Sequence, residues 1–102
     1  MLNVKIEEEN YFKEKSKIQE ITKQIYITSF FGAKNKQLLE ENKITHILIC
    51  AGELEEKFPK NFEYKKLKVQ DNPNFNIQNL FQETFEWVDT AIENQGVILF
   101  HW

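Results

Sequence analysis

The sequence predicts an α/β fold with a mostly parallel central sheet flanked by helices. Two short runs, residues 44–50 and 97–101, are rich in Ile, Leu, Val and Phe and do not alternate with polar residues, as in strands covered on both faces. Between them, Ile77, Leu80, Phe81, Thr84, Phe85, Val88 and Ile92 recur at spacings of three and four, the period of an amphipathic helix. A chain of 102 residues that is 41% hydrophobic, with nine Phe and two Trp, holds enough apolar material for one core.

The elements follow in order. Residues 1–20 form an N-terminal segment with little pattern. Glu7, Glu8 and Glu9 are placed to open a helix through Ile18, and a solvated, poorly anchored segment is the competing reading. The domain proper runs from 21 to 102. Ile21, Ile25, Tyr26 and Ile27 predict a hairpin turning at residues 22–24. Gly32 and Ala33 break it, and residues 34–42 read as a short helix burying Leu38 and Leu39. The run at 44–50 is a central strand closed by Ala51 and Gly52. Residues 53–61 make a charged loop with Pro59, and 62–69 an outer strand whose Lys65, Lys66 and Lys68 face solvent. Asp71-Asn72-Pro73-Asn74 is a turn. Asn76 is a good N-cap for the long helix, and Gly96 stands where its C-cap is expected. The strand at 97–101 follows, and the chain stops one residue later.

Composition excludes several function classes. There are thirteen Lys but no Arg, and the net charge is −3, which argues against nucleic acid and against bidentate guanidinium–phosphate recognition. One cysteine, Cys50, excludes a disulfide scaffold and fits a reducing compartment. The start lacks a signal-peptide pattern, and the apolar runs are too short to span a bilayer. A cytoplasmic protein is therefore expected, within reach of a cytoskeletal or other large assembly. His46, Cys50 and His101 match no zinc spacing, so neither metal nor cofactor is expected. The lysines at 65, 66 and 68 read as a solvated edge, with anion attraction the sharper alternative.

The order Ile25-Tyr26-Ile27-Thr28-Ser29, the helix from Ala33, Ile44-Thr45-His46-Ile47-Leu48, Phe62-Glu63-Tyr64, Val69-Gln70-Asp71, Phe75-Asn76-Ile77, Phe81 and Val97-Ile98-Leu99-Phe100-His101 resembles the dual-specificity branch of the Cys-dependent protein phosphatases. The resemblance covers about four-fifths of the chain, and it implies an incomplete dual-specificity phosphatase fold. In that family the last strand delivers His, the nucleophilic Cys, five residues and an Arg, and the loop cradles phosphate with backbone N–H groups. The resemblance puts Asp71 at the general-acid position and His101 just before the nucleophile. Trp102 stands at the nucleophile position, where indole offers no lone pair for attack on phosphorus. The Cys-x5-Arg loop is not in this sequence, Cys50 falls at the end of a different strand, and Ile49 replaces the Asn that often supports the loop.

These departures make the expected protein a catalytically inactive, pseudophosphatase-like domain that acts as a binding or structural component of a larger assembly. Asp71 then competes between vestigial acid and turn residue, and His101 between functional group and strand-end histidine. Trp102 is exposed, or packs in the vacated pocket or on a partner. Of the two faces of the last strand, Val97, Leu99 and His101 lie on one and Ile98, Phe100 and Trp102 on the other. One long helix can cover only one of them. The expected partner is a protein covering the face left open by missing C-terminal helices, with Ile98, Phe100, Trp102 and the off-stripe Trp87 as contact candidates. The alternative is the front part of an active tyrosine/serine/threonine phosphatase, and a phosphate-binding, non-hydrolysing module is a third reading.

Overall fold

The computed structural model describes residues 18–50 and 54–101. A hairpin of β1 (Ile18–Thr22) and β2 (Ile25–Thr28) leads through two short helices, α1 (Phe30–Ala33) and α2 (Lys36–Glu41), into β3 (His46–Ile49). Then come β4 (Glu63–Lys66), the long helix α3 (Ile77–Glu93) and β5 (Ile98–His101). The five strands form one sheet in the order β1-β2-β5-β3-β4. Only the β1–β2 pair is antiparallel, so the expected mostly parallel sheet is present.

The local differences from expectation have physical causes. The first strand reaches back to Ile18, because Ile18 and Gln19 pair with Thr28 and Ile27. The helix weighed from Glu7 lies outside the described residues except for Ile18, which is strand. Gly32 and Ala33 belong to α1 instead of breaking the chain: a Cβ at Gly32 would collide with Thr28 Oγ1, so only glycine lets α1 fold back onto β2. The expected 34–42 helix therefore begins two residues late, capped by Asn35, whose side chain accepts the Leu38 N–H at 3.1 Å. β4 is shorter than the expected 62–69, and Val69 is exposed.

Both α2 and α3 end in Schellman motifs. In α2, Lys43 takes φ 58° while its N–H and that of Ile44 bond Glu40 O and Leu39 O, each at 3.0 Å. The accompanying hydrophobic contact is in the core, which contains both Ile44 and Leu39. In α3 the left-handed residue is Gln95 at φ 63°, not Gly96. Gly96 comes next, its N–H on Ala91 O at 2.7 Å. A Cβ there would lie 2.8 Å from that carbonyl and 3.0 Å from His46 Nδ1. Gly96 is thus required by close approach and not by backbone sign.

The register divides the sheet into two faces. Tyr26, Leu99, Ile47 and Tyr64 align on one, followed two residues on by Thr28, His101, Ile49 and Lys66. This face holds the core, where Leu39, Ile44, Ile47, Ile49, Phe62 and Leu99 are buried and Leu54 and Phe58 pack against them. It is roofed by α2 and the loop before β4. The other face carries His46, Leu48, Lys65 and Ile98 and meets α3, through the His46–Trp87 ring contact (centroids 5.3 Å) and the Lys65–Glu83 ion pair (3.5 Å).

The expectation of one wholly open face therefore needs correction. Leu99 and His101 are buried on one side of β5, and Ile98 is buried on the other. Ile98 is accordingly no contact candidate, since it has no surface to offer. What stays incompletely covered is the β2 side of the α3 face, where Ile25, Ile27 and Phe100 are half-buried, together with the outer flank of α3. There Ile77 (42%), Phe81 (43%) and Phe85 (64%) are exposed, although they belong to the apolar stripe of the helix. The innermost α3 residues are small, Thr84 and Ala91. Small residues bring the helix axis close to the sheet and leave the bulky side chains on its flanks.

Candidate functional site

In open α/β sheets ligands bind beyond the C-terminal ends of the strands. β2, β5 and β3 run parallel and finish level, with Thr28 and Ile49 paired on either side of His101. Cys50 follows β3 directly and donates its backbone N–H to His101 O at 2.8 Å. Beside this edge, on the core face, lies a cavity of about 280 Å³ lined by Ala33, Lys34, Ile47, Leu54, Glu55, Lys57, Tyr64 and His101.

The chemistry at this edge is muted. His101 is buried and its Nε2 has no hydrogen-bond partner. Desolvation holds its pKa below the ordinary value, so the ring is neutral at pH 7. The Cys50 side chain is exposed, yet partial desolvation pushes its thiol upward, the opposite of what a thiolate nucleophile requires. The structure thus brings Cys50 and His101 together through their backbones without making a reactive pair. Trp102 lies outside the described residues.

Asp71 is exposed in the loop between β4 and α3. The turn there is organised by its neighbour: Asn72 Oδ1 accepts the Asn74 N–H at 2.9 Å, and Asn72 O accepts that of Phe75 at 2.9 Å. The side-chain hydrogen bond of this turn thus comes from Asn72. Of the proposed contact residues, Trp87 is half-buried edge-on against His46, and Phe100 is half-buried on the α3 face. Lys65, read as part of a solvated run, is the one that binds α3 to β4 through Glu83.

The N-terminal ends of the strands hold an arrangement that sequence reasoning missed. Thr45 Oγ1 accepts the Val97 N–H at 2.8 Å and lies 2.6 Å from His46 Nδ1, while His46 Nε2 meets Glu63 Oε2 at 3.0 Å. A hydroxyl, an imidazole and a carboxylate in line look like a relay, but the hydroxyl is held by Val97 and so locks β3 to β5. Gln24 was missed too. Its Nε2 donates to Ile92 O at 3.1 Å and Gly96 O at 2.9 Å, tying the β1–β2 turn to the C-terminus of α3. Neither carries a local motif, because Val97 is 52 residues from Thr45, Glu63 is far from His46 along the chain, and Gly96 is 72 residues from Gln24. Among the described residues no group of three or more His, Cys, Asp or Glu is placed to hold a metal ion.

A mostly parallel sheet of this order, with a histidine ending its central strand and an Asp in the loop before the long helix, is the α/β arrangement that the resemblance to the phosphatases implies. Comparison with known proteins gives the family. Dual specificity protein phosphatase 1B of Arabidopsis thaliana is 33% identical over 84 residues, 82% of this chain and 50% of the relative. Dual specificity protein phosphatase 19 of Mus musculus is 39% identical over 70 residues, 69% of this chain and 32% of the relative. The solved structure of human tyrosine phosphatase-like serine/threonine/tyrosine-interacting protein superposes with a TM-score of 0.67 at 30% identity, covering 82% of this chain and 60% of that one. No family model matches. The chain belongs to the dual-specificity protein phosphatase family, and it spans half or less of the length of these two curated relatives.

Proposed function

We propose that this chain is a catalytically inactive dual-specificity-phosphatase-like domain that works by binding, as a component of a larger cytoplasmic assembly. The observation carrying this reading is the outer flank of α3. Phe81 and Phe85 stack there with ring centroids 6.4 Å apart, exposed to water beside Ile77. Leaving apolar area in water costs about 25 cal/mol per Å², so a protein surface of aliphatic and aromatic side chains gains by covering it. Phe100, half-buried on the sheet face beneath α3, and Trp87, on the other flank of the helix against His46, remain contact candidates, and Trp102 is a further one. The sequence supports inactivity, since Trp102 stands where the family has its nucleophile. A structural neighbour whose name describes it as phosphatase-like and interacting supports it too. No helix among the described residues is long and apolar enough to cross a membrane, which agrees with the cytoplasmic reading.

Two measurements on the 102-residue chain test this. It should turn over a small aryl phosphate no faster than buffer, and it should bind a hydrophobic dye that a Phe81→Ser/Phe85→Ser variant does not bind. Turnover above background, or a sharply melting monomer blind to the dye, sinks the proposal. The second reading is that this is the front part of an active phosphatase, favoured by the 50% and 32% of its relatives that the chain spans. The coding sequence past Trp102 decides between them, because a Cys-x5-Arg loop there supports the second.

A further inference from the structure

The end of β5 carries a feature that binding through α3 does not use. His101 is 4% exposed, on the core face opposite α3, and its Nε2 is the one buried side-chain nitrogen or oxygen without a partner among the described residues. A neutral imidazole tolerates such a place, but an imidazolium needs acceptors for two N–H groups and compensation for its charge. Among the described residues the charged groups nearby give that charge little compensation. Lys34 after α1 and Lys57 before β4 line the same cavity, and Lys66 of β4 lies on the same sheet face. Glu55, the one carboxylate among the described residues of the cavity wall, is already 3.7 Å from Lys57 Nζ. Tyr64, the remaining titratable group in the wall, accepts the Phe58 N–H and stays protonated well above neutral pH because burial opposes its ionisation.

We infer that the end of β5 is an acid-sensitive latch: a proton on His101 releases this strand end from β2 and β3 while the rest of the sheet stays paired. Release breaks the Cys50 N–H bond to His101 O and widens the neighbouring cavity. The body of β5 is held independently, by Ile98 buried beneath α3 and Leu99 buried in the core, so the response stays local. Desolvation at His101, which favours the neutral ring, is consistent with a latch closed at neutral pH.

Imidazole nitrogen NMR and amide exchange on the 102-residue chain, followed from about pH 7.5 to 5, test the latch. His46 is the only other histidine and serves as reference. The expected result is that His101 gains its proton over the same pH range in which the Cys50 amide loses about tenfold in protection, while Ile47 and Leu48 keep theirs. The conservative His101→Asn variant should show a Cys50 amide whose protection no longer depends on pH. Should that variant fail to fold, the wild-type titration decides alone. Protonation with Cys50 still protected, loss of all the β3 amides together, or an unchanged Cys50 amide down to pH 5 each overturns the inference.

Discussion

Replacing Gln24 with Ala removes a side chain that joins three elements. Its Nε2 donates to Ile92 O and Gly96 O, and its own backbone carbonyl accepts the Ile98 N–H at 2.8 Å, so the β1–β2 turn, the end of α3 and the start of β5 meet at one residue. The substitution leaves the backbone bond and removes both amide bonds. Each contributes about 0.5–1.5 kcal/mol net, and the site is half-buried, so a loss of about 1.5 kcal/mol follows. For a domain of this size that is a fall of about 6–12 °C in Tm. Gln24→Glu sharpens the test. It keeps the shape but points carboxylate oxygens at two carbonyls at the negative end of a helix, adding about 0.3–1 kcal/mol of further loss. Thermal and urea unfolding of both variants give the numbers. A Gln24→Ala chain within about 0.3 kcal/mol of wild type, inside the scatter of surface substitutions, or a Gln24→Glu chain more stable than Gln24→Ala, refutes the reasoning.

Lys43 and Gln95 hold left-handed backbone that glycine adopts more easily, so Lys43→Gly and Gln95→Gly should each raise the urea midpoint, by a net of about 0.5–1 kcal/mol. Gly32→Ala should lose about 1–3 kcal/mol through the clash with Thr28 Oγ1 and Cβ, and Thr28→Ala in the same chain should recover part of it in a double-mutant cycle. Burial, assisted by Glu56, raises the Tyr64 pKa in the folded state above its unfolded value near 10. Its contribution to stability is therefore intact below that pH and lost as pH rises through the folded value, a decline that Tyr64→Phe should flatten in urea titrations at alkaline pH. Phe85→Ser should change stability by less than about 0.5 kcal/mol, because its ring is 64% exposed; a core-sized loss on unfolding in urea would place it in a packed interface.

Sequence reading works where one neighbourhood dictates the outcome. β3 and β5 are legible because Ile47, Leu48, Ile49, Ile98 and Leu99 are buried on both faces, and only that environment favours apolar runs without alternation. The start of α3 is legible because Asn76 caps it within three residues, its Oδ1 accepting the Asn79 N–H at 3.1 Å. Gly32 misled because a glycine can mean a break or a close approach, and the decision lies with Thr28 across the sheet edge. Gln24 and Thr45 gave no signal because their partners belong to elements far along the chain. The turn at Asp71-Asn72-Pro73-Asn74 is legible because Asp and Asn both favour such turns, and the pattern does not say which of their side chains makes the hydrogen bond.

The α3 stripe shows a limit of another kind. At about 100° per residue, Trp87, Leu80, Ala91, Thr84, Val88, Phe81 and Phe85 fan across about 160° of the helix surface. A helix resting on one sheet needs a band somewhat above 100°. The excess lies on the Phe81–Phe85 side, away from the Trp87 flank that meets His46. On the same face of the sheet Ile25, Ile27 and Phe100 are only half covered. Periodicity marks all of these as apolar without saying what covers them, because an internal core and a docking surface write the same pattern. An α3 stripe wider than its sheet is therefore the pattern that the proposed docking surface would write. In the proposed binding role, that surface is centred on Phe81 and Phe85.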